Sequence, residues 1–444
     1  MRFRPATLPA SLLLAAAAAP TLAQTSVPSA SSATSTGLDP AVRAAVVAQL
    51  ATELRNRYIY PDAGERGAAA ITAAAASGAY DRIADLPSLT RRLSDDLRGV
   101  LHDNHLAVFV ARGGADFSVT SIPAGEAGIL RADRLAGGIA YLQFDGFPNP
   151  WSFKPALDRA MAGLKDSRAV IIDVRGNAGG NPASVSYLVS HFVPAGKRVE
   201  INRIVWRKAG TTDLTRKPFF SERTPVSFAG RPVYVLINGR TFSGGEELAY
   251  DIQTLKLGTL VGETTGGGAN PAQRLPIGHG VMAFIPTGRA ESPVTGSNWE
   301  GRGVQPDIAV PAADALATAL SRLGRSPAAT IEAASPVSVL KQRTVPLKGS
   351  EAMLRRVLAG RAAPEPDYTL LGADAGEPGR AAFADTQRRL QPLGDPQAIR
   401  FRRPDAWGFD EFTLVYPDRT LVVGIGLDPT GKFMGIIGPD KVSP

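Results

Sequence analysis

The sequence predicts an α/β protein, and three observations carry that prediction. Ala169-Val-Ile-Ile-Asp-Val174 is a nearly continuous apolar run, which suits a strand covered on both faces, as in a parallel sheet. A second run, Pro232-Val-Tyr-Val-Leu-Ile237, leads through a turn into a helical pattern from about Gly244 to Leu255. Strand and helix patterns alternate through this region, as they do in an α/β core.

Ahead of that core, residues 1–23 read as a cleavable export signal. Arg2 and Arg4 supply a positive start, Leu12 to Ala19 an apolar middle, and Thr21-Leu22-Ala23 the small residues a signal peptidase reads. No later segment reaches the roughly 18 to 20 apolar residues of a spanning helix, so a periplasmic or secreted protein without a transmembrane segment is expected. Residues 24–37, rich in Ser, Thr and Ala, read as a disordered lead-in. A small helical domain over 38–104 follows. Asp39-Pro40 has the form of an N-cap with proline at the first helical position, and Val42, Val46, Leu50 and Leu54 continue at helical spacing. A second helix is expected around Ala68 to Ala76. A third carries Leu89, Leu93, Leu97 and Leu101 on one face.

The α/β core is expected over 105–322. Its strands include His105 to Val110, Gly138 to Phe144 and Thr259 to Gly262, and a helix carries Phe153, Leu157, Met161 and Leu164. Residues 323–350, rich in Ser, Pro, Ala and Thr, read as a linker. Residues 351–444 predict a small α+β domain, with helices near Glu351 to Leu358 and Ala381 to Leu390. Strands Phe412 to Tyr416, Leu421 to Leu427 and Phe433 to Ile437 follow, separated by turns.

Composition excludes several functions. There are no cysteines, hence no disulfide, thiolate metal site or cysteine nucleophile. Four scattered histidines and no His-Glu-x-x-His leave no metal signature. The formal charge of +8, or +6 without the two arginines of the signal, is spread without a dense basic run, which argues against nucleic acid as a partner.

Two stretches carry chemistry. In Arg240-Thr-Phe-Ser-Gly-Gly-Glu-Glu247, Ser243 falls on a tight turn at a helix start, where the Gly244 N–H and the helix dipole can stabilise an oxyanion. The same letters form a capping box, so cap and nucleophile fit them equally well. Asp173-Val-Arg-Gly-Asn-Ala-Gly-Gly180 places a glycine-rich loop at the carboxyl end of a parallel strand, where open α/β sheets bind ligands. It lacks the patterns of a phosphate loop.

Together with Asp103-Asn-His-Leu106, Leu260-Val-Gly-Glu-Thr-Thr-Gly-Gly-Gly268 and Gly303-Val-Gln-Pro-Asp-Ile308, these stretches resemble, in order, the C-terminal processing (tail-specific) serine peptidases. The nearest branch is that of the tricorn core protease and interphotoreceptor retinoid-binding protein. The resemblance spans roughly residues 40 to 320. It implies a crotonase- or Clp-protease-like core of stacked ββα units and no cofactor. It implies Ser243 as nucleophile, with the oxyanion held by the Gly244 amide and one from the Gly179-Gly180 pair. Many members carry a lysine base at the position of Gly268. The next lysine downstream of Ser243, Lys256, lies about 20 Å along the same helix at 1.5 Å per residue. The tricorn-like branch uses a histidine backed by a glutamate, which implies His105 as base and Glu300 behind it. Asn104 stands where that branch has a relaying serine. The stretch between Val110 and Gly138 is well short of the roughly 50 residues of a small domain, so the family's PDZ module has no place. The C-terminal domain resembles the cystatin-like α+β modules of exported hydrolases and reads as a passive appendage. The substrate expected is a peptide or protein. A carrier for peptides or apolar ligands on the same scaffold, and an esterase, are the alternatives.

Overall fold

A computed structural model of the chain describes residues 37–110, 126–325, 337–338, 343–372, 376–405, 408–428 and 430–441. The export signal, the lead-in up to residue 36 and most of the predicted linker lie outside the described residues. Among the described residues, no helix is long and apolar enough to cross a membrane.

Helices α1 (Pro40–Arg57), α2 (Pro61–Ala76) and α3 (Leu86–Leu101) open the fold. Asp39 caps α1 through the Ala41 N–H, Asp85 caps α3 through the Ser88 N–H, and His102 ends α3 at φ 53°. Then come β1 (Ala107–Val110), β2 (Ile129–Leu135), β3 (Ile139–Phe144), α4 (Pro150–Leu164), β4 (Ala169–Asp173) and α5 (Pro182–Ser190). They are followed by β5 (Glu200–Arg207), β6 (Leu214–Phe220), β7 (Val233–Ile237), α6 (Gly244–Thr254) and β8 (Thr259–Gly262). Next are β9 (Ala272–Gly278), β10 (Val281–Pro286), β11 (Gly288–Glu291), β12 (Ile308–Ala309), α7 (Ala315–Arg322) and β13 (Val337–Ser338). The chain closes with α8 (Ser350–Gly360), α9 (Gly376–Leu390), β14 (Ala398–Pro404), β15 (Asp410–Val415), β16 (Thr420–Leu427) and β17 (Phe433–Lys441).

The main sheet has the order β12-β8-β7-β4-β3-β2-β13. It is parallel from β3 through β12 and antiparallel at β2 and β13. Both faces are covered, as the apolar run of β4 requires. Val170 and Ile172 join a core with Leu157 of α4, Leu188 of α5 and Leu248 of α6. Ala169 and Ile171 face the other way, against Ala315 and Ala319 of α7. This alternation is the two-residue period of a strand.

Two findings modify the domain picture. The three-stranded antiparallel sheet β1-β10-β9 packs on the helices, so that Val108, Val281 and Ile285 share one core with Leu50, Leu54, Leu93 and Leu97. The helices therefore do not bury their apolar faces alone. Within the predicted linker, β13 adds an edge strand to β2, through Val337 opposite Arg134. The C-terminal strands form an antiparallel meander, β14-β15-β16-β17, over α8 and α9.

Candidate active site

The turn after β7 is tied down before it reaches Ser243. Thr241 is buried, and its hydroxyl donates to the Val174 carbonyl (2.9 Å) and accepts from the Asn238 N–H (3.1 Å). Phe242 N–H donates to the Asn177 carbonyl (3.0 Å). Ser243 sits at φ 52°, ψ −119°, a region few non-glycine residues enter. Such strain persists where surrounding bonds over-determine it. The next residue, Gly244, is the first of α6, so its N–H has no intrahelical acceptor.

The glycine-rich loop after β4 closes over this turn. A Cβ on Gly179 would lie 2.7 Å from Ser243 Cβ, and one on Gly244 would lie 2.8 Å from the Gly180 nitrogen. The Gly179 N–H is occupied, donating to Asn177 Oδ1 (2.8 Å). Among the described residues, the N–H groups of Gly180 and Gly244 donate to no protein acceptor. Of the three amides the sequence reading names, those of Gly180 and Gly244 are thus the two left without a protein acceptor. The Gly179 amide is held instead by Asn177, itself fully buried.

His105 stands between α3 and β1, its ring against that of Phe242, with centroids 4.7 Å apart. One donor atom each of Asp103, His105 and Glu300 lies within 4.8 Å of the others. Asp103 is 1% exposed, and both of its oxygens are held. Oδ1 accepts from the His105 backbone N–H (3.0 Å), and Oδ2 accepts from the Tyr58 hydroxyl and the Asn270 amide (2.9 Å each). Glu300 Oε2 accepts from the Ala269 N–H (2.5 Å). Among the described residues, Glu300 Oε1 and His105 Nδ1 are both buried without a hydrogen-bond partner. The trio has the spacing of a divalent-cation site, but three of its four carboxylate oxygens are committed to N–H and O–H donors, which suits a proton-handling cluster better.

Burial lowers the His105 pKa below its ordinary value, against the opposing pull of the Asp103 charge. Burial, and then the Asp103 carboxylate, push Glu300 up to about 8 despite the Ala269 N–H. Asn104, at the expected relay position, reaches elsewhere: its amide donates to the Gly266 carbonyl (3.1 Å).

Sequence reasoning undervalued Glu246. It shows there only as the third helical residue of a cap, and its carboxylate does accept from the Ser243 N–H (2.9 Å). Fully buried, it also accepts from Thr265 Oγ1 (2.5 Å), Gly267 N–H (2.6 Å) and Gly268 N–H (2.8 Å). One side chain thus ties the serine turn to the loop after β8. That loop is joined in turn to the Glu300 segment. Gly301 N–H donates to the Gly267 carbonyl (3.0 Å), and the Trp299 indole donates to the Gly268 carbonyl (2.9 Å). Gly268 has no room for a side chain, since a Cβ would fall 2.3 Å from Phe242 Cζ and 2.8 Å from His105 Cε1.

Comparison with known proteins gives two family matches. Residues 138–310 match the model of peptidase family S41, and residues 40–124 match the N-terminal domain of Peptidase S41 in eukaryotic IRBP. A tricorn protease homolog of Streptomyces coelicolor is 31% identical over 145 residues, covering 32% of this chain and 11% of the relative. Carboxy-terminal processing protease CtpB of Bacillus subtilis is 29% identical over 147 residues, covering 33% of this chain and 28% of the relative. The chain therefore matches well under two thirds of the length of either. The solved photosystem II D1 C-terminal processing protease superposes with a TM-score of 0.33 at 19% identity, covering 47% of this chain and 49% of that one.

Proposed function

Because the chain belongs to peptidase family S41, we propose that it is an exported serine peptidase that cleaves peptide bonds through an acyl-enzyme on Ser243. The observation that carries this reading is a strained serine followed by the helix-start residue Gly244, which packs against Gly180, neither glycine's N–H having a protein acceptor among the described residues. Such pairs stabilise the charge that develops on a carbonyl oxygen under attack.

In this reading His105 takes the proton from Ser243 Oγ as the oxygen attacks the peptide carbonyl carbon. The two amides hold the resulting oxyanion. Its collapse breaks the C–N bond, and the amine leaves with the proton from His105. Water, deprotonated by the same imidazole, then releases the acyl group. His105 and Ser243 move into hydrogen-bond reach when substrate binds, as catalytic pairs in free enzymes commonly do. Glu300, whose Oε1 is free to face the ring, orients the imidazole, and the Asp103 charge beside it favours the charged form. The parallel core with its strand–turn–helix serine fits the crotonase-like architecture of stacked ββα units. The export signal read in residues 1–23 would place the enzyme in the periplasm or outside the cell.

Labelling by a fluorophosphonate probe tests this reading. Wild type should label, and Ser243→Ala and His105→Ala should not. A folded wild type that stays unlabelled and cleaves no peptide would overturn it in favour of a carrier. Turnover of esters without peptides would make the enzyme an esterase.

A further inference from the structure

The C-terminal domain rests on the segment that shapes the oxyanion site. Between β3 and α4, residues 145–149 run alongside the glycine-rich loop. Phe147 N–H donates to the Gly179 carbonyl (2.8 Å), and Asn181 N–H donates to the Phe147 carbonyl (2.6 Å), so Phe147 brackets Gly180 from both sides. The Asn181 amide donates to Asn149 Oδ1 (3.0 Å), and the Ser184 hydroxyl donates to the Pro148 carbonyl (2.5 Å). A Cβ on Gly180 would lie 2.1 Å from the Phe147 carbonyl oxygen, so the two backbones are in direct contact.

Two residues beyond Asn149, Trp151 stacks on Phe409 of the C-terminal domain, with centroids 6.2 Å apart and planes 20° from parallel. Phe409 in turn lies over Gly426 of β16 and Gly435 of β17, neither of which has a side chain to displace it. Around this stack the domain is fastened. Gly408, at φ 84°, passes so close to Ser152 that a Cβ would fall 2.2 Å from the Ser152 Cβ. Ala127 N–H donates to the Asp405 carbonyl (3.4 Å). Arg343 joins two buried carboxylates, Glu126 on the core side (3.1 Å) and Asp410 of β15 (2.8 Å).

We infer that the C-terminal domain is a buttress for the oxyanion site. Through the Phe409–Trp151 stack it holds residues 147–149 in place, and these hold the Gly180 amide opposite Gly244. Trp151 and Phe409 are positioning residues, and the domain is no passive appendage. Contiguity alone does not establish coupling, so the test must measure it. The catalytic half of the inference rests on the serine-peptidase reading; the mechanical half does not.

The experiment compares the full-length mature protein with Trp151→Ala, Trp151→Phe and Gly408→Ala. Gly408→Ala pushes the domain away while leaving its apolar core untouched. Hydrogen exchange followed by mass spectrometry reads the mechanical half. Amides over 145–152 and 178–184 should exchange at least about tenfold faster in Trp151→Ala and Gly408→Ala. Those of α1 to α3 should be unchanged, and Trp151→Phe should restore wild-type rates. Steady-state peptide cleavage reads the catalytic half. kcat should fall by about tenfold or more with KM nearly constant, the signature of a lost transition-state contact. Unchanged exchange over 178–184, or faster exchange with an intact kcat, overturns the inference. Faster exchange in a protein whose wild type cleaves nothing would refute the peptidase reading and leave the mechanical coupling standing.

Discussion

Replacing Glu246 with glutamine changes one oxygen to an amide nitrogen in a site where four donors converge on a buried carboxylate. With the nitrogen at the Oε2 position, the Ser243 and Gly268 N–H groups both lose their acceptor. With it at Oε1, Gly267 loses its acceptor, and Thr265 must rotate its hydroxyl to accept. A buried donor left unpaired costs about 1–3 kcal/mol, so the substitution should destabilise the core by about 3 kcal/mol. For a unit of this size that is a fall in Tm of about 6–12 °C. The chain has more than one core, so the transition that reports the α/β unit must be separated, by calorimetry combined with tryptophan fluorescence. Activity should fall further than stability, because the two loosened amides belong to Ser243 and to the loop against His105. The reasoning assumes an ionised Glu246. Burial pushes this carboxyl up, but a proton on Oε2 would meet only the Ser243 and Gly268 N–H groups, and one on Oε1 would find an acceptor only if the Thr265 hydroxyl gave up donating. A Tm within 1 °C of wild type would mean that the group is protonated after all, glutamine being its neutral replacement.

The pH–rate profile gives a second check: because burial lowers the His105 pKa, the acid limb of kcat/KM should lie below the ordinary histidine value of about 6.5, and a limb above it would remove His105 as the base. Gly268→Ala puts a methyl group where Phe242 and His105 now lie; cleavage should drop by about tenfold or more while circular dichroism stays that of wild type, and full activity would refute this placing of His105. On α6, Glu247 and Asp251 are buried one turn apart, and among the described residues both oxygens of Asp251 lack a hydrogen-bond partner. Burial raises both, Glu247 to about 7 and Asp251 well above its ordinary 3.8. The folded state therefore keeps protons that the unfolded chain releases, so their contribution to stability is whole near pH 4 and is lost as pH rises through the folded values. Asp251→Asn should match wild type near pH 4 and exceed it in urea denaturation at pH 9; equal stability at pH 9 would sink the idea.

What could be read from the letters was what is local. The serine turn lies between a strand and a helix that are contiguous with it, so strand run, glycines and helix period announce it together. Strands β2, β5, β6, β9, β10, β11, β12, β13 and β14 carry no such announcement. Leu214-Thr-Arg-Lys-Pro-Phe-Phe220 and Ala272-Gln-Arg-Leu-Pro-Ile-Gly278 are edge strands, and each carries charge and a proline where a central strand would carry valine or isoleucine. Asp103 lies inside the Asp-Asn-His-Leu motif, yet its carboxylate meets Tyr58 and Asn270 from distant segments, and no spacing rule predicts such a meeting. Glu246 looked like a cap because only one of its four donors is near it in sequence.

The β1–β10 ladder bears on when the proposed catalytic residues can come together. Among the described residues β10 is the only strand partner of β1, and the two lie most of the core apart along the chain. The segment bearing His105 is made early and Ser243 later, and Glu300 follows the strand that anchors the histidine. Closing so long a loop is slow. On the peptidase reading proposed above, a growing or half-folded chain therefore lacks its assembled base. On that reading the order of the parts along the polypeptide delays activity until the fold is complete.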